Sequence, residues 1–138
     1  FDLVLGILPD FNGQPLSAVK LLGWFTYPFT ILLGLRPEEW EAASQILGSR
    51  FIETEVSAYF SLAAQQATNN AFTLRSMTIM TYALCGFVHI ASMGIFVGGL
   101  SVLVPSRANE ISIVGLQALW TSFLATLLTA CIAGSLII

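Results

Sequence analysis

The sequence predicts an all-α integral membrane protein, with a re-entrant helical hairpin, a broken transmembrane helix and a final transmembrane helix. Three observations carry that reading. Of 138 residues, 56% are hydrophobic and only 9% are charged, against about 25% charged in soluble domains. Too few charges remain to coat a globule, so lipid is the natural solvent. Between Arg75 and Arg107 the chain carries no formally charged residue, a run longer than the roughly 20 apolar residues that span a bilayer as a helix. That run nevertheless holds a polar knot at its middle: Cys85, Gly86, His89, Ser92 and Gly94. The glycines loosen the helix at mid-depth, and a membrane helix with a weak, polar centre marks a binding site rather than a plain anchor.

Bulk properties exclude several classes. The net charge is -3, and the absence of a basic cluster argues against nucleic acid. The two cysteines, Cys85 and Cys131, have neither zinc nor disulfide spacing, and read as small packing residues in helices. No signal peptide is visible. The chain opens on Phe1, already inside an apolar segment, and reads as a piece of a longer membrane protein.

The elements follow in order. Residues 1–9 look like the end of a membrane helix, and 10–15 form a turn-rich connector. Leu16 to Leu35 is a second apolar segment, with Lys20 snorkelling near its start and Trp24 and Tyr27 suited to an interface. Pro28 is expected to end or kink that helix near Tyr27. Pro37, Glu38 and Glu39 suit the start of a short amphipathic helix, read as a solvated connector. In residues 50–66, Thr54, Ser57, Ser61 and Gln65 form one polar stripe at three- and four-residue steps, which faces a cavity. Residues 16–35 and 50–66 together read as the two arms of a hairpin that enters the membrane without crossing it. Thr73 caps the helix holding Arg75. Ile111 to Ile138 is a last apolar run, with Gly115, Ala118, Ala125, Ala130, Ala133 and Gly134 suited to close helix packing.

Two residues stand out for chemistry. His89 is the sole histidine, and with Ser92 three residues later and Cys85 four before, all three share one helix face. Intramembrane polar groups are costly and mark substrate or ion paths; the alternative is a histidine bonded to a backbone carbonyl freed by the helix break. With an unperturbed pKa of about 6.5, a histidine can gate binding or join proton coupling near neutral pH. Glu55 can accept hydrogen bonds from a sugar diol, with Ser92 and His89 supplying others. Its alternatives are a salt bridge to Arg50 or an exposed acid, and Glu53 competes for the role. Phosphate loops, HExxH and GxSxG are absent. Ser92 with His89 lacks any sign of an oxyanion hole or an oriented base, so the chain does not read as an enzyme.

Tyr82-Ala83-Leu84-Cys85-Gly86-Phe87-Val88-His89-Ile90-Ala91-Ser92-Met93-Gly94-Ile95 resembles the segment ALCGFANFSSIGI of the concentrative nucleoside transporter family. Gly98-Gly99-Leu100 and Val104-Pro105-Ser106-Arg107 continue the likeness. Thr54-Glu55-Val56-Ser57-Ala58-Tyr59 resembles that family's NEFVAY, Gly48 before it also fits, and Leu127 to Gly134 looks like its final helix. The resemblance implies the C-terminal part of the transport domain, one inverted-repeat half. Residues 1–13 would end a scaffold helix, 16–66 would form the re-entrant hairpin, 75–105 the broken helix and 110–138 the last helix.

The resemblance further implies ion-coupled nucleoside uptake, by an elevator-type mechanism, in a homotrimer of the plasma (inner) membrane. Substrate-binding residues would be Glu55, His89, Ser92 and Phe87, on the ribose side. It implies no cofactor beyond a coupling Na+ or H+, whose site lies mostly outside this chain. Thr54, Val56, His89 and Ala91 depart from the family pattern, with His89 in place of the ribose-binding asparagine. A neutral imidazole both donates and accepts as asparagine does, but with a larger ring and a different reach. Another polar solute, or a non-transporting membrane subunit, therefore stays open as an alternative.

Overall fold

A computed structural model describes residues 18–67, 72–86 and 88–137. The expected scaffold-helix end at 1–13, and Phe87, lie outside the described residues. Among the described residues the fold is all-helical, with no strand.

Helix α1 (Ala18–Leu32) continues through Pro28, so of the expectation that proline ends or kinks it near Tyr27, the ending is corrected. A proline inside a membrane helix is tolerated when other groups satisfy the backbone it frees. Threonine hydroxyls on either side of Pro28 bond neighbouring carbonyls and tie the helix to its partner. The Thr26 hydroxyl lies 2.7 Å from the Ser44 carbonyl oxygen and 3.1 Å from that of Gly23. Thr30 donates to the Tyr27 carbonyl at 2.7 Å. The helix stops at Gly34, whose φ of 71° is open to glycine and strained for other residues.

A 3-10 turn (Pro37–Glu39) leads into α2 (Trp40–Ser49). This helix returns antiparallel along α1. Thr26 meets Ser44, the rings of Tyr27 and Trp40 meet edge-on at 6.2 Å, and Gly48 lies against Leu22 and Gly23. The stretch expected as a solvated connector is therefore the partner of α1. Its buried face is Ala43, Ser44, Ile46, Leu47 and Gly48. Residues 50–66, expected as the second arm, instead give a connector and a separate helix, α3 (Glu55–Gln66), capped by Thr54. Ser61 and Gln65 of its polar stripe line a cavity of about 270 Å³ with Gln45, Ser49 and Glu53.

The central run forms two helices, α4 (Leu74–Ala83) and α5 (Ile90–Leu103), with residues 84–89 between them. Thr73 caps α4 by accepting from the Ser76 N–H at 3.3 Å. After a 3-10 turn (Pro105–Arg107), α6 (Ala108–Leu136) runs back along both halves. Gly134 meets Ile79, Gly86 meets Thr126 and Gly115 meets Val97. Small residues on α6 thus admit its neighbours closely. The segment Pro105–Leu136, with mean hydropathy 1.7, is long and apolar enough to cross a membrane; α1 and α5 are apolar but shorter.

The core gathers where these elements meet. Phe123 of α6 takes ring contacts from Phe29 at 5.1 Å and Phe51 at 5.3 Å, beside buried Leu47, Leu62, Ile79, Met80, Leu84 and Val88. Helix α5 buries none of its residues within the chain. Both cysteines are exposed, and Cys85 lies outside any helix. The packing role expected for them, and the shared face of Cys85 with His89, do not hold. The helical period cannot carry across a stretch that is not helical.

Candidate functional site at the helix interruption

The interruption packs against α6, the helix long and apolar enough to span a membrane. Gly86 lies against Thr126, ten residues before the end of α6 at Leu136. A Cβ on Gly86 would fall 2.1 Å from Thr126 Cγ2, so only glycine permits this approach.

A helix ending in lipid leaves orphan carbonyls that must find donors. Arg50, just past the end of α2, supplies them. Its side chain is 2% exposed. One terminal nitrogen donates to the Ala83 carbonyl at 2.5 Å, and the other donates to the Gly86 carbonyl. The same nitrogen lies 3.9 Å from Glu55 Oε1, while Nε has no hydrogen-bond partner.

Glu55 opens α3, where the helix dipole favours a carboxylate, and its side chain is 49% exposed. Glu53 points elsewhere. It accepts from the Ser57 hydroxyl at 2.8 Å and lines the polar cavity beside α3. Of the two competing acids, Glu55 is the one that meets Arg50.

His89 is the N-cap of α5. Its Nδ1 takes the Ser92 N–H at 3.3 Å and lies 2.8 Å from Ser92 Oγ, while Nε2 lies 2.8 Å from the Ile52 carbonyl oxygen. These partners fix the tautomer. A carbonyl only accepts, so Nε2 carries the hydrogen; a backbone N–H only donates, so Nδ1 presents its lone pair. The Ser92 hydroxyl then donates to Nδ1 and keeps its own lone pairs free. A second bond, from the Ile90 N–H to the Phe51 carbonyl at 3.1 Å, makes the junction of α5 with the 50–54 connector double.

The structure thus brings Glu55 to Arg50, and His89 to Ser92, on the two sides of one interruption. No hydrogen bond joins Glu55 to His89 or Ser92 among the described residues. Both readings considered for His89 and Glu55 have a counterpart here: the histidine holds a backbone carbonyl, that of Ile52 rather than one within the break, and the acid approaches Arg50. The sequence reading missed Arg50 as an organising residue. Its signal was a lone cation between Gly48 and Glu55 in an otherwise uncharged helix end.

A second set of polar links lies at the far end of α6. Buried Glu39 accepts the Thr73 N–H at 2.8 Å and the Ser76 hydroxyl at 2.5 Å. Arg75 donates to the carbonyls of Gly34 and Gly134, both at 3.1 Å. These bonds fix the α1–α2 turn to the start of α4, so that α2 returns from there to the interruption at Arg50.

Together these features define a helical membrane protein built around an interrupted helix. Residues 1–134 match the family described as "Na+ dependent nucleoside transporter C-terminus"; the chain belongs to that family. It is 33% identical to sodium/nucleoside cotransporter 1 of Rattus norvegicus, over 96% of this chain and 22% of that protein. It is 31% identical to the putative nucleoside permease NupX of Escherichia coli K12, over 90% of this chain and 30% of that protein. A CNTnw variant in its intermediate 3 state superposes with a TM-score of 0.86 at 28% identity, covering 98% of this chain and 34% of that one. CNTnw in an inward-facing substrate-bound state gives 0.76 at 28% identity, covering 88% and 30%. The chain spans between about a fifth and a third of these relatives' length.

Proposed function

We propose that the full-length protein carries nucleosides across the plasma (inner) membrane as a homotrimer, drawing on a sodium or proton gradient by an elevator-type movement. The family membership supports this, and one observation on the chain carries it: two hydrogen-bond acceptors, the Glu55 carboxylate and the Ser92 hydroxyl, flank the interruption of an apolar helix. In this reading the paired helices α1 and α2 belong to the re-entrant hairpin.

Ribose hydroxyls are donors, and both groups suit them. Arg50 keeps one carboxylate oxygen of Glu55 oriented and leaves the half-exposed side open to a diol. His89, by accepting the hydrogen bond of the Ser92 hydroxyl, leaves that oxygen free to act as an acceptor. Exchange of the Ile52 carbonyl for a sugar oxygen would let His89 Nε2–H donate to substrate directly. Phe87, outside the described residues, completes the proposed sugar side. A second reading, another polar solute, is favoured by the engagement of both ring nitrogens of His89 within the protein.

Uptake of labelled uridine and adenosine into sealed vesicles, under sodium and proton gradients applied separately, tests the proposal. Saturable uptake driven by either gradient supports it. A folded protein that takes up neither nucleoside but accumulates another polar solute supports the second reading.

A further inference from the structure

The buried guanidinium of Arg50 occupies an unusual position. In broken-helix transporters, unwound carbonyls and the C-terminal ends of half-helices are the groups that coordinate small cations. The Ala83 and Gly86 carbonyls are such groups, at the end of α4, where the helix dipole is negative. Glu55 adds a carboxylate 3.9 Å from the same nitrogen. Three oxygens, two from carbonyls and one from a carboxylate, therefore surround one guanidinium, carried at the end of α2.

We propose that Arg50 is a tethered cation: its guanidinium does for the end of α4 what a bound inorganic ion would do, and removing it leaves an oxygen-lined site that takes a sodium-sized monovalent cation. Three observations support the assignment. The side chain is almost fully buried, yet the one carboxylate it approaches among the described residues is half exposed and at the outer limit of an ion pair. Its short contacts are to backbone carbonyls, not to that acid. Its Nε makes no hydrogen bond, so the group is placed by its two terminal nitrogens, which meet the carbonyls. Because the cation is covalently part of α2, the closure of α2 onto the interruption is built into the chain and independent of ion supply. Arg50 is thus a positioning residue for Glu55 and for the break.

The test uses the full-length protein in lipid nanodiscs, with Arg50→Ser and Arg50→Lys beside wild type. The midpoint of thermal unfolding is followed between about 1 and about 300 mM sodium, with choline balancing ionic strength, because a ligand bound to the native state raises the midpoint with its concentration. A parallel series uses low guanidinium. The readout is stability, so a failure of nucleoside transport leaves it intact. In Arg50→Ser the midpoint should rise at least about twice as far with sodium as in wild type, and should rise with guanidinium; Arg50→Lys should follow wild type. Equal sodium responses in Arg50→Ser and wild type would overturn the proposal. So would an Arg50→Ser protein that stays unfolded at every cation concentration, since a replaceable cation should restore it.

Discussion

Replacing His89 separates its two structural jobs. The imidazole caps α5 through the Ser92 N–H and holds the 50–54 connector through the Ile52 carbonyl. Loss of an N-cap side chain costs about 1 kcal/mol, and loss of one intramolecular hydrogen bond costs about 1 kcal/mol more. His89→Ala should therefore weaken the junction by about 2 kcal/mol. Asn is a good cap but too short to span to Ile52, so His89→Asn should lose only about 1 kcal/mol. The assay is amide hydrogen exchange on the full-length protein, read at Ile90, whose N–H meets Phe51, and at Ser92. Each kcal/mol multiplies local opening about fivefold. His89→Asn should speed exchange at Ile90 by about fivefold, and His89→Ala by about thirtyfold at both amides. Unchanged exchange in His89→Ala, or a larger effect for Asn than for Ala, would refute the assignment of cap and tether to this one ring.

Two further outcomes follow from close contacts between elements. A Cβ at Gly48 would fall 2.5 Å from the Gly23 nitrogen, whereas one at Gly23 would meet Gln45 Cα at 3.3 Å. Gly48→Ala must push backbone apart, and should lose about 1–3 kcal/mol, seen as a lower unfolding midpoint than for Gly23→Ala. Gly86→Ala should be strongly destabilising through the 2.1 Å approach to Thr126 Cγ2; adding Thr126→Ser removes that methyl and should restore much of the midpoint, a coupling that a double-mutant cycle measures.

Apolar runs and their polar interruption were legible because lipid imposes them at the level of composition. The stretch from Arg75 to Arg107 advertised its weak centre through Gly86, His89 and Ser92, and the chain leaves the helix among them. What failed depended on contacts distant in sequence. The reading that Pro28 ends or kinks its helix rests on local backbone effects, whereas the pairing of α1 with α2, with Thr26 on Ser44, shows only in three dimensions. The stretch that forms the 3-10 turn and α2 looked solvated because it carries Glu38, Glu39 and Glu41. Glu39 turns out to be buried under Thr73 and Ser76, while Gly48 lets α2 lie against α1. Arg50 was visible only as a possible partner of Glu55. That it serves two carbonyls more than 30 residues away follows from no local pattern.

The central claim is that Glu55, at the interruption, holds the sugar of a nucleoside. Its most direct test is uptake of labelled uridine and adenosine by the full-length protein in sealed vesicles, comparing wild type with Glu55→Gln under an imposed sodium or proton gradient. The amide keeps the shape but replaces one acceptor oxygen by a donor. Hydrogen bonds to a charged group contribute about 1.5–3 kcal/mol each, so uptake at low substrate should fall by at least about tenfold in a protein that remains folded. Wild-type uptake that persists unchanged in Glu55→Gln would place the ribose elsewhere and contradict the account.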